Sequence, residues 1–308
     1  MRVIRHLSHQ APALPRVVLT LGNFDGVHLG HQAIVQRAAA EARAVGGQVV
    51  VLTFHPHPTA VLVPHRAPAR IQSLHGRLLT LRTLGVEVAV VQRFTRAFAG
   101  LEPEAFVRDL LMRRLELLHV VVGYNVSFGR DRAGTVDTLR ALGTQYGFAV
   151  DAVGPVMVDG DHVSSTVVRR LIAAGDVRRV ARLLGRQHQL RGRVVGGDRR
   201  GRTIGFPTAN MHQQPGVLLP ADGVYAVWAT VDGVRRPAVL NVGVRPTFGE
   251  LRRTVEAHVL DFDGDLYGRW LCIDLVERLR GEMKFSGPGA LVAAIKADVI
   301  AARQHLAG

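Results

Sequence analysis

The chain has 308 residues, 47% of them hydrophobic, and 39 basic against 25 acidic side chains give it a formal charge of +14. That length is enough for two ordinary domains with separate cores. The single cysteine, Cys272, excludes an intramolecular disulfide and predicts a reducing, cytoplasmic setting, while the lack of a long apolar run predicts neither secretion nor a membrane span.

In chain order, Val17–Leu21 reads as a short buried strand. Gly22 and Gly26 then punctuate a turn through Asn23, Phe24 and Asp25, and His28-Leu29-Gly30-His31 opens an alanine-rich helix predicted from Leu29 to about Val45. A strand that feeds a helix N-terminus through glycines is suited to phosphate, because free N–H groups and the helix dipole face the anion. His28 and His31, three apart, share one face of the first turn, so they can handle a phosphate or simply cap the helix. With no cysteine or third histidine close by in the sequence, zinc is not expected.

A second strand, Gln48–Thr53, ends in Phe54-His55-Pro56-His57-Pro58. A helix over Ile71–Leu84, a strand over Glu87–Gln92, a helix over Pro103–Leu118 and a strand over Val120–Gly123 follow. A polar loop from Tyr124 to Arg130, a helix over Val136–Tyr146 and a strand over Ala149–Val153 come next. This alternation predicts a parallel α/β sheet with ligands at the C-terminal edge. Ser164, Ser165 and Thr166 are natural N-caps of another helix, with Arg169 one turn on. The pattern is that of a capped helix, or of a polyphosphate grip.

Near residue 184 the pattern changes to short apolar strands with glycine-rich turns: Leu190–Val195, Val224–Thr230, Pro237–Leu240, Thr254–Leu260 and Leu271–Leu279. They predict a small β-barrel, closed by an amphipathic helix over about 289–305. A glycine- and arginine-rich stretch, 196–205, precedes Pro207-Thr208-Ala209-Asn210. Thr208 and Asn210, two apart in an extended segment, project to one side, where they can hold Mg²⁺ and phosphate oxygens. Glu256 alternates with apolar residues and faces solvent by default. If that face lines a pocket, it becomes a candidate base. Arg280 and Glu282 are equally open.

Only Lys284 and Lys296 are lysines, so the positive charge is arginine. A nucleic-acid surface is one reading. With no long block of like charge and few aromatic residues for stacking, polyanionic small substrates fit better, and no nucleic-acid or membrane partner is expected.

The chain resembles the bacterial bifunctional riboflavin kinase/FMN adenylyltransferases over about residues 17–300. The resemblance rests on G-N-F-D-G-V-H-L-G-H, T-F-H-P-H-P, S-S-T-V-V-R, G-R-T-I-G-F-P-T-A-N, N-V-G-V-R-P-T-F, L-D-F-D-G-D-L-Y-G and L-R-G-E-M-K-F in that order. It implies a Rossmann-like nucleotidyltransferase domain over 1–184 and a six-stranded kinase barrel over 185–308. The second domain would phosphorylate riboflavin with ATP, and the first would join AMP to FMN with release of pyrophosphate, both with Mg²⁺. The resemblance gives His28 and His31 the transition-state phosphates and sets Gly22, Asn23, Phe24 and Gly26 against the adenine nucleotide. It gives Asn125 a phosphate or Mg²⁺, and Ser164, Ser165, Thr166 and Arg169 the pyrophosphate. Phe54 and Phe128 would pack on the flavin. In the barrel it makes Glu256 the base, Thr208 and Asn210 the Mg²⁺ and ATP ligands, and Gly201 part of a flap. Arg280 and Glu282 would lie near the flavin. Val126 departs from the family's aromatic at that position. H-x-G-H also serves other adenylyl- and cytidylyltransferases, so the kinase-like second domain is what points to flavin.

Overall fold

The computed structural model describes residues 1–7, 13–196, 204–247 and 250–307, with the side chains of 245–247 and 250–252 left aside. Two compact units emerge. One comprises Met1–Pro68 with Leu74–Ser164, the other Ala69–Ser73 with Ser165–Gly308.

The first unit holds a six-stranded, all-parallel sheet ordered β1-β4-β3-β2-β5-β6. Its strands are β1 (Arg2–Arg5), β2 (Leu14–Leu21), β3 (Gln48–His55), β4 (Val88–Arg93), β5 (Leu115–Gly123) and β6 (Ala149–Val153). Helix α1 (Leu29–Val45) buries Val35, Ala38 and Ala42 against Val18, Val49, Val51 and Val121 on one sheet face, together with Leu81 of α3 (Leu74–Thr83). On the other face Leu19, Val50, Leu52 and Val90 pack with Phe106, Leu111 and Leu139, the last from α6 (Val136–Tyr146). Short helices α2 (Pro58–Leu62), α4 (Arg96–Ala99) and α5 (Pro103–Ala105) and a hairpin of β7 (Met157–Val158) with β8 (Asp161–His162) fill the connections. Helix α1 stops where Gly46 takes up φ 60°, the left-handed cap that glycine adopts without penalty.

The helix expected over Pro103–Leu118 does not persist. After α5 the backbone forms a π-helix over Phe106–Met112, and β5 already begins at Leu115. Leu115 and Leu117 are buried on either side of exposed Glu116, a two-residue period that assigns the segment to the sheet. Strand β1 was not among the predicted elements, whereas β10 (Ala209–Gln213) takes up the extended segment read around Asn210. Both are short, and three of the four residues of β1 are exposed.

The second unit contains a closed barrel ordered β10-β13-β12-β11-β14-β9. Its other strands are β9 (His188–Val195), β11 (Gly223–Val231), β12 (Val234–Thr247), β13 (Glu250–Val259) and β14 (Trp270–Arg280). Leu190, Met211, Tyr225, Leu240, Val255, Ala257 and Ile273 fill its interior. Helices α7 (Ser165–Ala174) and α8 (Val177–Leu184) belong to this unit, so the compact units divide about 20 residues before the change of pattern at 184. The last helix, α9 (Pro288–Leu306), lays Ala302 and Leu306 on Val224, Ala226 and Val239 of the barrel's outer wall.

Asp298 of α9 accepts both Nε (2.9 Å) and Nη2 (2.8 Å) of Arg280 on β14, and only 9% of the Asp298 side chain and 22% of Arg280 are exposed. Removing one member of so sheltered a pair strands the other charge, at a cost of about 3 kcal/mol. Asp298→Ala is expected to lower the urea midpoint accordingly, and pairing Asp298→Leu with Arg280→Met should recover most of the loss.

Candidate active sites

In the first unit the chain leaves β2 for β3 and β4 on one side and returns to β5 on the other. The topological switch point therefore lies between β2 and β5, where an open parallel sheet binds its ligands. The loops that leave the C-terminal ends of those strands contain Gly22–His28 and Tyr124–Arg130.

Three of the four residues between Phe24 and Val27 have left-handed backbone: Phe24 at φ 49°, Gly26 at 84° and Val27 at 40°. For a β-branched residue this is a genuine outlier, and each such residue costs of order 1–3 kcal/mol that the surroundings must impose. The turn is held from several sides. Phe24 and Val27 are buried. Gln32 Nε2 donates to the Val27 carbonyl (2.9 Å) and Thr53 Oγ1 to the Asn23 carbonyl (3.2 Å). Arg77 also donates to the Asn23 carbonyl.

The turn delivers His28 as the N-cap of α1, where its Nδ1 accepts the His31 N–H at 3.3 Å. With Nδ1 accepting, the neutral ring carries its proton on Nε2 and can donate there. The two imidazoles stack with centroids 3.7 Å apart and planes 17° from parallel, and Phe24 flanks His31 at 5.2 Å. Capping and pairing are thus one arrangement. A Cβ at Gly30 would stand 3.2 Å from His28 Nδ1 and 3.6 Å from the Val163 carbonyl. The tight contact is with the His28 ring, so the glycine leaves room for that imidazole to fold back over the first turn. Ser164 lies in this unit, whereas Ser165, Thr166 and Arg169 belong to α7 in the other, where Arg169 Nε donates to the Ala69 carbonyl at 2.9 Å.

Asn125 is exposed after β5, with Oδ1 turned back toward Gly123. Phe54 and Phe128 differ in setting. Phe54 is half-buried at the edge of an aromatic chain through Phe94, Phe98 and Phe106, and Phe128 is its inner end, 5.4 Å from Phe106. The Phe128 main chain pairs with Gly134, and its ring occupies the space that a Cβ at Gly134 would need. Phe128 is thereby a core residue, and of the two rings Phe54 is the one within reach of a ligand.

In the second unit the register sets Asn210 of β10, Glu256 of β13 and Asn241 of β12 side by side. Their neighbours Ala209, Met211, Leu240, Val242, Val255 and Ala257 fill the barrel, so these three polar residues line its outer wall. Thr208 Oγ1 donates to Glu256 Oε2 (3.4 Å) and Thr254 Oγ1 to Glu256 Oε1 (3.5 Å). Glu256 is outward-facing, as its alternation predicts, yet only 8% exposed. Glu282 reaches over Gly243, at a point where any Cβ would collide with its carboxylate, which brings it beside the same row. Arg280 instead points to α9 through Asp298, so in this structure it anchors a helix. Gly201 lies outside the described residues.

A cavity of about 220 Å³ adjoins Thr208, and its other walls come from interior-facing Ala209, Ala257 and Val259 and from Phe262, Asp265 and Tyr267. Thr208, Asn210 and Glu256 offer oxygen donors alone, the set that suits Mg²⁺. Among the described residues, Glu41, His119 and Asp151 form the one cluster of three His, Cys, Asp or Glu side chains close enough to share a metal. There His119 lies 3.6 Å from Glu41 and 3.5 Å from Asp151, and Arg37 pairs with both acids, so the two carboxylates already share a cation on the α1 face. Burial pushes the Cys272 thiol up from its usual range, which disfavours a thiolate nucleophile.

Sequence reasoning missed Asn241, Arg77 and the Phe262–Tyr267 wall of the cavity. Asn241 and that wall were within reach, since both lie inside quoted motifs. Arg77 carried no motif signal.

Comparison with known proteins gives two family models in tandem: FAD synthetase over residues 10–167 and riboflavin kinase over 184–306. A "bifunctional riboflavin kinase/FMN adenylyltransferase" of Pseudomonas fluorescens is 41% identical over 98% of this chain and 97% of its own length. One of Escherichia coli (strain K12) is 39% identical, with 99% and 97% covered. A crystal structure of a "macrolide-efflux protein" from Streptococcus pneumoniae superposes with a TM-score of 0.90 at 31% identity, over 98% of this chain and 99% of that one. No helix among the described residues is long and apolar enough to cross a membrane.

Proposed function

The chain belongs to the bifunctional riboflavin kinase/FMN adenylyltransferase family, and from that premise we propose which of its residues carry each reaction. Its C-terminal domain phosphorylates riboflavin with ATP, and its N-terminal domain adenylylates the resulting FMN to FAD. We assign residues 1–184 to the adenylyltransferase and 185–308 to the kinase. The matched ranges, 10–167 and 184–306, support that division.

The observation that carries the kinase assignment is the row Asn210–Glu256–Asn241 with Thr208 bonded to Glu256. Glu256 takes the proton of the riboflavin 5′-hydroxyl as that oxygen attacks the γ-phosphorus. The bond to the β,γ-bridging oxygen breaks, and ADP leaves. The sheltered wall keeps bulk water from competing as acceptor. Thr208 and Asn210 hold the Mg²⁺ that neutralises phosphate charge. The neighbouring 220 Å³ cavity, which shares Thr208, takes the nucleoside end of ATP, and Glu282 borders the flavin.

In the first domain an oxygen of the FMN phosphate attacks the α-phosphorus of ATP and pyrophosphate leaves. The protein forms no covalent bond, and its part is to place donors where charge develops. His28 Nε2 and His31 supply them from the stacked pair. Gly22, Asn23, Phe24 and Gly26 shape the turn on which the nucleotide lies, Asn125 orients a phosphate or Mg²⁺, and Phe54 packs on the flavin. Ser164, Ser165, Thr166 and Arg169 receive the pyrophosphate. Cytoplasmic residence fits the lone cysteine.

Purified protein given riboflavin, ATP and MgCl₂ is expected to yield FMN and then FAD by chromatography. EDTA in excess should stop both products, and added MgCl₂ should restore them. Full FMN formation in EDTA would overturn the role given to Thr208 and Asn210.

A further inference from the structure

Arg77 sits on α3 and is only 8% exposed. An arginine is rarely so deeply buried unless its donors have fixed acceptors. Two of its acceptors are main-chain carbonyls from different loops. Nη1 donates to Asn23, at the start of the strained turn after β2, and Nη2 donates to Phe54 (3.3 Å), at the end of β3. Thr53 Oγ1 meets the same Asn23 carbonyl (3.2 Å), and Gly22 N–H bonds to the Leu52 carbonyl (3.1 Å). The C-terminal ends of β2 and β3 are thus fastened together at the point where both loops depart. From Asn23 the chain passes through Phe24, Gly26 and Val27, all at positive φ, directly to His28. Such a turn has few ways to relax without moving the residue it delivers.

We propose that Arg77 is a positioning residue for adenylyl transfer: its guanidinium fixes the Asn23–His28 turn and the Phe54 loop in one mutual arrangement. The inference rests on the assignment of that reaction to His28 and His31. The planar fork of arginine presents two donors at a fixed spacing, which is why it can span two loops. An ammonium serves as a compact point donor and does not reproduce the fork. Loss of the fork leaves the Asn23 carbonyl with Thr53 Oγ1 alone of these two donors and takes the Arg77 donor from the Phe54 carbonyl, and the turn shifts to compensate. Because His28 acts on charge that develops during the reaction, the shift registers in kcat more than in KM.

The test compares Arg77→Met and Arg77→Lys with the wild type in the full chain, following FAD formation from supplied FMN and FMN formation from riboflavin separately. Arg77→Met is expected to lower kcat for FAD formation by tenfold or more, with KM for ATP within threefold and riboflavin phosphorylation unchanged. Arg77→Lys, which keeps a charged donor, should fall between the two. Wild-type kcat in Arg77→Met overturns the proposal, as does an equal fall in both activities with a normal melting temperature. If Arg77→Met does not fold, Arg77→Lys decides: an unchanged kcat overturns the proposal, and a selective fall of threefold or more upholds it. If the wild type itself makes no FAD, the underlying assignment fails first and takes this inference with it.

Discussion

His28→Ala is expected to lower FAD formation from FMN and ATP by at least a hundredfold, while riboflavin phosphorylation continues at the wild-type rate. Removing one preorganised donor from charge developing in a transition state costs about 10²–10³ in rate. The loss at His28 is compounded, because the same ring caps α1 and stacks on His31. Cap loss alone costs about 1 kcal/mol of helix stability, too little to unfold a helix that buries three residues in the core. His28→Asn separates the two effects, since asparagine restores the cap but not the imidazole. It should regain thermal stability without regaining FAD formation. Parallel loss of both products in His28→Ala would show that the two reactions do not have separate sites. The measurement is chromatographic, with FMN and FAD quantified from matched reactions started with riboflavin or with FMN.

Glu256→Gln should abolish the other half. A general base contributes about 10²–10⁴-fold, and glutamine keeps the shape and a hydrogen bond to Thr208 while removing the proton acceptor. FMN formation is expected to fall by at least a hundredfold, and conversion of supplied FMN to FAD should persist. Glu256→Asp withdraws the carboxylate by about one methylene from the Thr208 and Thr254 hydroxyls that hold it at 3.4 and 3.5 Å. It should lose less than the glutamine variant if charge is what matters. Wild-type kinase activity in Glu256→Gln would remove Glu256 from the reaction.

Much of the architecture was legible because local chemistry and tertiary environment agree. Helix α1 starts and stops as expected, since its alanines, its histidine cap and Gly46 all point the same way. The segment after Pro103 shows the opposite case. Leu110, Leu111, Leu115, Leu117 and Leu118 satisfy a helical period as readily as an alternating one, and only the neighbouring strand decides. Phe128 read as a ligand contact because sequence shows the ring but not the hairpin pairing with Gly134 that turns it inward. Glu256 was legible as outward-facing, but its shelter depends on Thr208, 48 residues away in the chain. Arg77 carried no signal, because its acceptors are backbone carbonyls and any residue can supply those.

The outer-wall placement of the Asn210–Glu256–Asn241 row has a consequence for how this barrel can change over generations. On β13 the residues Val255, Ala257 and Val259 belong to the packed interior, and Thr254, Glu256 and His258 alternate with them on the outside. Along residues 254–259 the packed positions and the polar row thus fall on opposite parities. Drift at Val255 tunes folding while leaving the polar row in place, whereas Ala257 and Val259 also line the cavity given to the nucleotide and answer to both demands. A one-residue slip in register would forfeit both at once.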